Sequence, residues 1–137
     1  MKRVILIIIV LAALVLAGCA DNEDRDTLVI GERFFVNQVF EIFFNHQQYI
    51  GRTIQYEGMF RAIPLDERHF FVVYRHMLGC CGEEDIIGFE VILGDIAPFP
   101  DNTWVEVTGT LEMYGGFLVV RAASIVEMDE RGAEFVF

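Results

Sequence analysis

Trp104-Val105-Glu106-Val107-Thr108-Gly109-Thr110-Leu111-Glu112, then Gly115-Gly116 and the run from Phe117 to Met128, decide the fold of this chain. Val105, Val107, Gly109 and Leu111 alternate with Glu106, Thr108, Thr110 and Glu112, the period of two expected of a strand with one buried face. Two consecutive glycines take the positive φ angles of a tight turn, so Gly115-Gly116 predicts a hairpin and Phe117 to Met128 a long last strand. The same reading extends upstream. Ile54, Tyr56 and Phe60 alternate with Gln55, Glu57 and Arg61, with Gly58 and Met59 between them. Phe70 to Tyr74 and Ile86 to Leu93 are continuous aromatic and β-branched runs, the second closed by Gly94, Pro98 and Pro100. Five strands in about 75 residues, with Gly58 and Gly109 inside two of them, predict a small and strongly bent barrel, because an interior glycine lets a strand kink. The expected fold is mainly β: a five-stranded barrel of the oligonucleotide/oligosaccharide-binding (OB-like) kind with one N-terminal amphipathic helix. A flat meander packed on the helix is the alternative.

That helix is expected from Phe34 to Phe44, ending near Asn45. Phe35, Val36, Val39, Phe40 and Phe43 recur at helical spacing, while Asn37, Gln38 and Glu41 fall mostly on the other side. It lacks the Lys/Arg-rich polar face of a membrane-surface helix, so it should dock on its own barrel. Leu28-Val29-Ile30 ahead of it reads as a brief strand or extended lead-in.

The N-terminus speaks to location. Lys2 and Arg3 precede thirteen apolar residues from Val4 to Leu16, and Leu16-Ala17-Gly18-Cys19 follows. A basic start, a short apolar core and small residues at a cleavage point describe a secretory signal. Cysteine directly after Leu-Ala-Gly resembles the bacterial lipobox, in which the Cys19 sulfur receives a diacylglyceryl group before cleavage. An uncleaved anchor is the alternative, although the apolar run is shorter than the roughly 20 residues of a membrane span. Residues 1–18 are thus expected to be a lipoprotein signal peptide, 19–27 a lipidated flexible tether, and 28–137 the barrel domain. The expected location is the bacterial cell envelope, outside the cytoplasm and lipid-anchored to the membrane.

Ten basic and 21 acidic residues give a net charge of −11, and loss of Lys2 and Arg3 leaves eight against 21, a net of −13. Every remaining basic residue is arginine. Phosphate backbones are held by neutralising Lys and Arg, so nucleic acid is not an expected partner. Cations, or a basic protein face, suit the charge, as does plain solubility.

Chemistry-bearing residues gather in His76-Met77-Leu78-Gly79-Cys80-Cys81-Gly82-Glu83-Glu84-Asp85, read as a glycine-bracketed loop between two strands. Thiolate and imidazole suit zinc or copper(I), and carboxylates suit harder ions. Neighbouring residues of an extended strand point to opposite faces, so both sulfurs reach one ion only where the backbone turns; Gly79 and Gly82 permit that. Cys80, Cys81 and His76 are the candidate metal ligands, and His69, seven residues before His76, falls on the opposite face. A vicinal disulfide or redox-active dithiol is a second reading, and buried structural thiols a third. Hydrolytic chemistry has little support: Ser124 is the sole serine and has no histidine near it in sequence. Trp104 reads as an aromatic covering the core at a strand start. The chain is accordingly expected to be a binding module and not an enzyme.

Ile30-Gly31, Phe35, Glu41-Ile42, Asn45, Tyr49, Gly51-Arg52-Thr53-Ile54, Gly58, Cys80-Cys81, Gly88-Phe89 and Thr103-Trp104-Val105-Glu106-Val107-Thr108-Gly109 together resemble the C-terminal domain of a bacterial family, domain of unknown function 1980. The resemblance spans residues 28–128. It implies a barrel exported behind two transmembrane helices, acting as the partner subunit of a two-component membrane permease, in some cases near metal homeostasis. It implies no established catalytic activity. Here a lipid anchor stands where the family has transmembrane helices, and Gly82-Glu83-Glu84-Asp85 follows the cysteines where the family often has Ala-Asp.

Overall fold

The computed structural model describes residues 27–65, 68–79 and 82–137. The signal peptide, Cys19 and the tether through residue 26, together with Cys80 and Cys81, lie outside the described residues.

Five strands carry the fold: β2 (Thr53–Leu65), β3 (Arg68–Leu78), β4 (Glu84–Ile92), β5 (Trp104–Tyr114) and β6 (Phe117–Glu127). The long β2 serves two neighbours. Thr53 to Met59 pair antiparallel with Thr110 to Trp104 of β5, and Met59 to Leu65 pair with Tyr74 to Arg68 of β3. β3 pairs with β4 and β5 with β6, both antiparallel. Parallel pairing of Glu90-Val91-Ile92 with Val119-Val120-Arg121 then closes the circuit. The result is the expected OB-like barrel and not the flat meander.

The glycines act as anticipated. A Cβ on Gly58, where β2 passes from one partner to the other, would lie 2.7 Å from the Tyr74 carbonyl oxygen. One on Gly109 would lie 2.4 Å from that of Arg121, beside a β-bulge at Thr108/Gly109. Gly115 and Gly116 have φ of 59° and 88°, so both central turn residues are left-handed, as a two-residue hairpin favours.

Two short strands flank the barrel. β1 (Leu28–Val29) runs parallel to β2, Leu28 opposite Ile54. β7 (Phe135–Val136) runs parallel to β3, Phe135 opposite His76. β6 is therefore not the last strand; a two-residue strand is too short to leave a periodic signal.

A 3₁₀ turn (Glu32–Phe34) leads into α1 (Phe35–Phe44), and a second (His46–Gln48) leads out. α1 does dock on the barrel, but its face differs from the expected one. Phe35, Val39 and Ile42 are the buried residues, while Phe40 and Phe43 stay partly exposed. Phe43 lies stacked on Phe89 at 5.2 Å between centroids. With seven of the ten helical positions apolar, the spacing admits overlapping stripes, and only the barrel mouth selects one.

The core joins those three helical side chains to Ile54, Tyr56, Phe60, Val73, Phe89, Val107, Leu111 and Val120. Tyr56 is buried in it, and burial pushes its phenol far above its ordinary value of 10.0, with a backbone hydrogen bond at Phe89 opposing. Above pH 10 the unfolded chain releases this proton and the folded one retains it. The unfolded state then binds fewer protons, so stability falls by about 1.4 kcal/mol per pH unit from this group. Tyr56→Phe should remove that contribution. Urea midpoints measured between pH 9 and 11 check it, and an unchanged slope in the variant would contradict it.

Candidate functional site

The residues on either side of the cysteines form the stem of a hairpin, not the ten-residue loop that the sequence suggested. His76, Met77 and Leu78 end β3, Glu84 and Asp85 begin β4, and Leu78 pairs with Glu84, Met77 with Asp85 and His76 with Ile86. Strand pairing continues through these residues because Met77, Leu78 and Ile86 suit a pleated surface as well as the apolar runs on either side. Gly79 and Gly82 stand on either side of the two cysteines. The Gly82 N–H donates to the Gly79 carbonyl at 3.0 Å, and the Gly79 N–H donates to the Glu83 carbonyl at 2.8 Å. Gly82 takes φ of 76°, a conformation that glycine adopts at little cost. Glu83, Glu84 and Asp85 are exposed.

His76 stands at the base of this hairpin. Its ring is stacked on Phe135 at 5.1 Å and meets Tyr74 edge-on at 5.5 Å. Its backbone N–H donates to the Glu134 carbonyl at 2.8 Å. The ring is thus held by aromatic packing, and its Nδ1 is buried with no hydrogen-bond partner, whereas buried polar atoms ordinarily have one. His69 is not brought near: it pairs with Pro64 at the other end of β3 and stacks on Phe71. Among the described residues no three His, Cys, Asp or Glu side chains form a group able to hold a metal ion.

A second cluster escaped sequence reasoning. Arg75 is a charged residue with only 2% of its surface exposed. Its guanidinium lies 4.7 Å from the Phe35 ring centroid and 5.0 Å from that of Trp104. Nε donates to the Glu57 carbonyl at 2.9 Å and Nη1 to the Ala133 carbonyl at 3.2 Å. Glu32 approaches Nη1 at 3.6 Å and accepts the Ala133 N–H at 3.1 Å. Trp104 covers the core as expected and also donates its indole N–H to the Glu57 carboxylate at 3.1 Å. Burial lowers the Arg75 pKa, while Glu32 and Glu57 act to raise it. A cleft of about 140 Å³ opens beside it, lined by Glu32, Gln55, Glu57 and Glu106 among others. The arrangement fastens the 3₁₀ turn before α1 and the segment before β7 to the barrel. Its one trace in the sequence is an arginine directly after the apolar run Phe70 to Tyr74.

Strand order, the shared β2 and the parallel β4–β6 closure define an OB-like barrel capped by an N-terminal helix. The chain belongs to the DUF1980 family: the family model described as DUF1980 C-terminal domain matches residues 17–136. No curated protein matches the sequence. A similar solved structure is the dimeric N-terminal domain of PriB protein from Thermoanaerobacter tencongensis, at 20% identity and a TM-score of 0.35, covering 57% of this chain and 97% of that one. No helix among the described residues is long and apolar enough to cross a membrane.

Proposed function

We propose that the protein is a lipid-anchored, non-enzymatic binding module of the bacterial cell envelope that holds a zinc or copper ion at its β3–β4 hairpin. Cys19 carries the anchor. Cys80 and Cys81 are the thiolate ligands and His76 the third, with Glu83, Glu84 and Asp85 drawing cations toward them. What supports the reading is the pairing of β3 with β4 as far as Leu78 and Glu84, which brings Gly79 and Gly82, the residues flanking the two cysteines, together at a hairpin end. The partnerless Nδ1 of His76 fits the same donor set, since sulfur and imidazole nitrogen are the ligands that zinc and copper(I) favour. The bound ion supplies affinity for a partner, or is itself the cargo passed on. In keeping with the family resemblance, that partner is a membrane permease.

Metal content of the purified chain, measured by elemental mass spectrometry beside a count of free thiols, tests the proposal. The expected result is about one zinc or copper per chain, lost in Cys80→Ser and Cys81→Ser, with affinity weakened about tenfold or more in His76→Ala. A metal-free chain whose two thiols appear only after reduction would overturn it in favour of a vicinal disulfide.

A further inference from the structure

The end of the barrel at which the β3–β4 hairpin opens also carries an aromatic rim. Leu28 lies opposite Ile54 in β1–β2 pairing, so the chain enters the fold beside the start of β2. The connection from α1 runs along the same end, with the Gly51 N–H donating to the Leu111 carbonyl at 2.8 Å and the Leu111 N–H to the Arg52 carbonyl at 3.0 Å. β5 continues from there into its hairpin with β6, closed by Tyr114 opposite Phe117. Along this end Phe44 is 79% exposed, Phe117 66% and Tyr114 57%, with Ile50 and Met113 also exposed. Phe40 stacks on Phe44 at 6.0 Å and extends the rim along the helix. Isolated exposed apolar residues need no explanation, but a group of them at one end marks a contact surface.

Carboxylates border the rim: the β3–β4 hairpin, with exposed Glu83, Glu84 and Asp85, opens at the same end, and Glu41 beside Phe40 accepts the Asn45 side-chain N–H at 2.8 Å. Glu112 at the border is taken up by Arg121, whose Nε donates to it at 3.0 Å. Asn45, His46, Gln47 and Gln48, polar residues that suit a lipid headgroup layer, stand beside the aromatics.

Covalent geometry names the occupant. Cys19 precedes Leu28 by nine residues, a reach of about 30 Å at full extension. We propose that this rim, with Phe44, Tyr114 and Phe117 at its centre, rests in the headgroup layer of the membrane and orients the barrel on its anchor. The proposal relies on the membrane-anchor part of the proposed function, and an uncleaved apolar run would place the membrane at the same end. Tyrosine rings settle at the headgroup level of a bilayer, and phenylalanine enters the boundary between headgroups and acyl chains. Net charge turns the domain away from anionic lipid, so a zwitterionic surface is the fitting partner.

Tryptophan quenching in phosphatidylcholine vesicles tests this with the full chain purified from bacterial membranes. The native Trp104 is buried and supplies a constant background. Fluorescence added by Phe117→Trp should fall about twofold when the acyl chains are brominated below the headgroup. Fluorescence added by Leu65→Trp, at the far end of β2, should not change. Vesicle-bound protein with position 117 unquenched, or with both positions quenched alike, would overturn the orientation and leave the anchor standing. Failure of the chain to associate with vesicles at all would overturn both.

Discussion

Arg75→Ala is expected to destabilise the domain by about 3–5 kcal/mol, the range for removing one member of a buried charged network. The substitution strips the Glu57 and Ala133 carbonyls of a charged donor and opens a space between the Phe35 and Trp104 rings. It also leaves Glu32 and Glu57 facing the same cleft without the cation between them. For a domain of this size the loss corresponds to a fall of roughly 15 °C or more in Tm. Arg75→Lys should recover little, because a single ammonium cannot reproduce the planar fork stacked between two rings. Arg75→Met, which refills much of the space with apolar atoms, should be milder than Ala. Urea denaturation of the three variants checks the order, and an Ala variant within about 1 kcal/mol of wild type would contradict the clamp.

Gly88→Ala is the second large effect. Gly88 pairs with Tyr74 across β3 and β4, and an added Cβ would sit 2.1 Å from the Val73 carbonyl oxygen and 2.7 Å from the Tyr74 Cα. Both neighbours are backbone, so no side-chain rotation relieves the clash and the two strands must part. A cost of about 3 kcal/mol or more is expected, at the upper end for overpacked sites. Gly31→Ala supplies the contrast. Nothing lies within 4 Å of its added Cβ and its φ is −79°, so it should stay within about 0.5 kcal/mol of wild type. Equal effects at the two glycines would show that backbone proximity is not what constrains β3 and β4.

These two positions mark the boundary between what the sequence reveals and what it conceals. Alternation along β2 and β5 follows from burying one face of a strand, and it is readable wherever Glu, Thr or Gln fills the other face. The Gly115-Gly116 turn and the kinks at Gly58 and Gly109 are local chemistry, and so they were legible too. Selection of Phe35, Val39 and Ile42 as the docking face of α1 depends on the shape of the barrel mouth. A helix apolar at seven of ten positions does not encode that choice locally. β7 and the Arg75 clamp rest on contacts between distant segments, such as Arg75 to Glu57 and to Ala133, and no window of sequence contains them. In the cysteine segment the flanking glycines Gly79 and Gly82 are legible from residue type as residues that suit a hairpin end. Its strand character at His76, Met77 and Asp85 was hidden because polar and thiol-bearing residues signal a loop.

Native mass spectrometry of the full-length protein, extracted in mild detergent from membranes of an expressing bacterium, tests the central claim most directly. The expected result is a chain that begins at Cys19, carries the added mass of its acyl chains and holds about one zinc or copper ion that departs on acid denaturation. A chain that retains Met1 and carries neither lipid nor metal would contradict it.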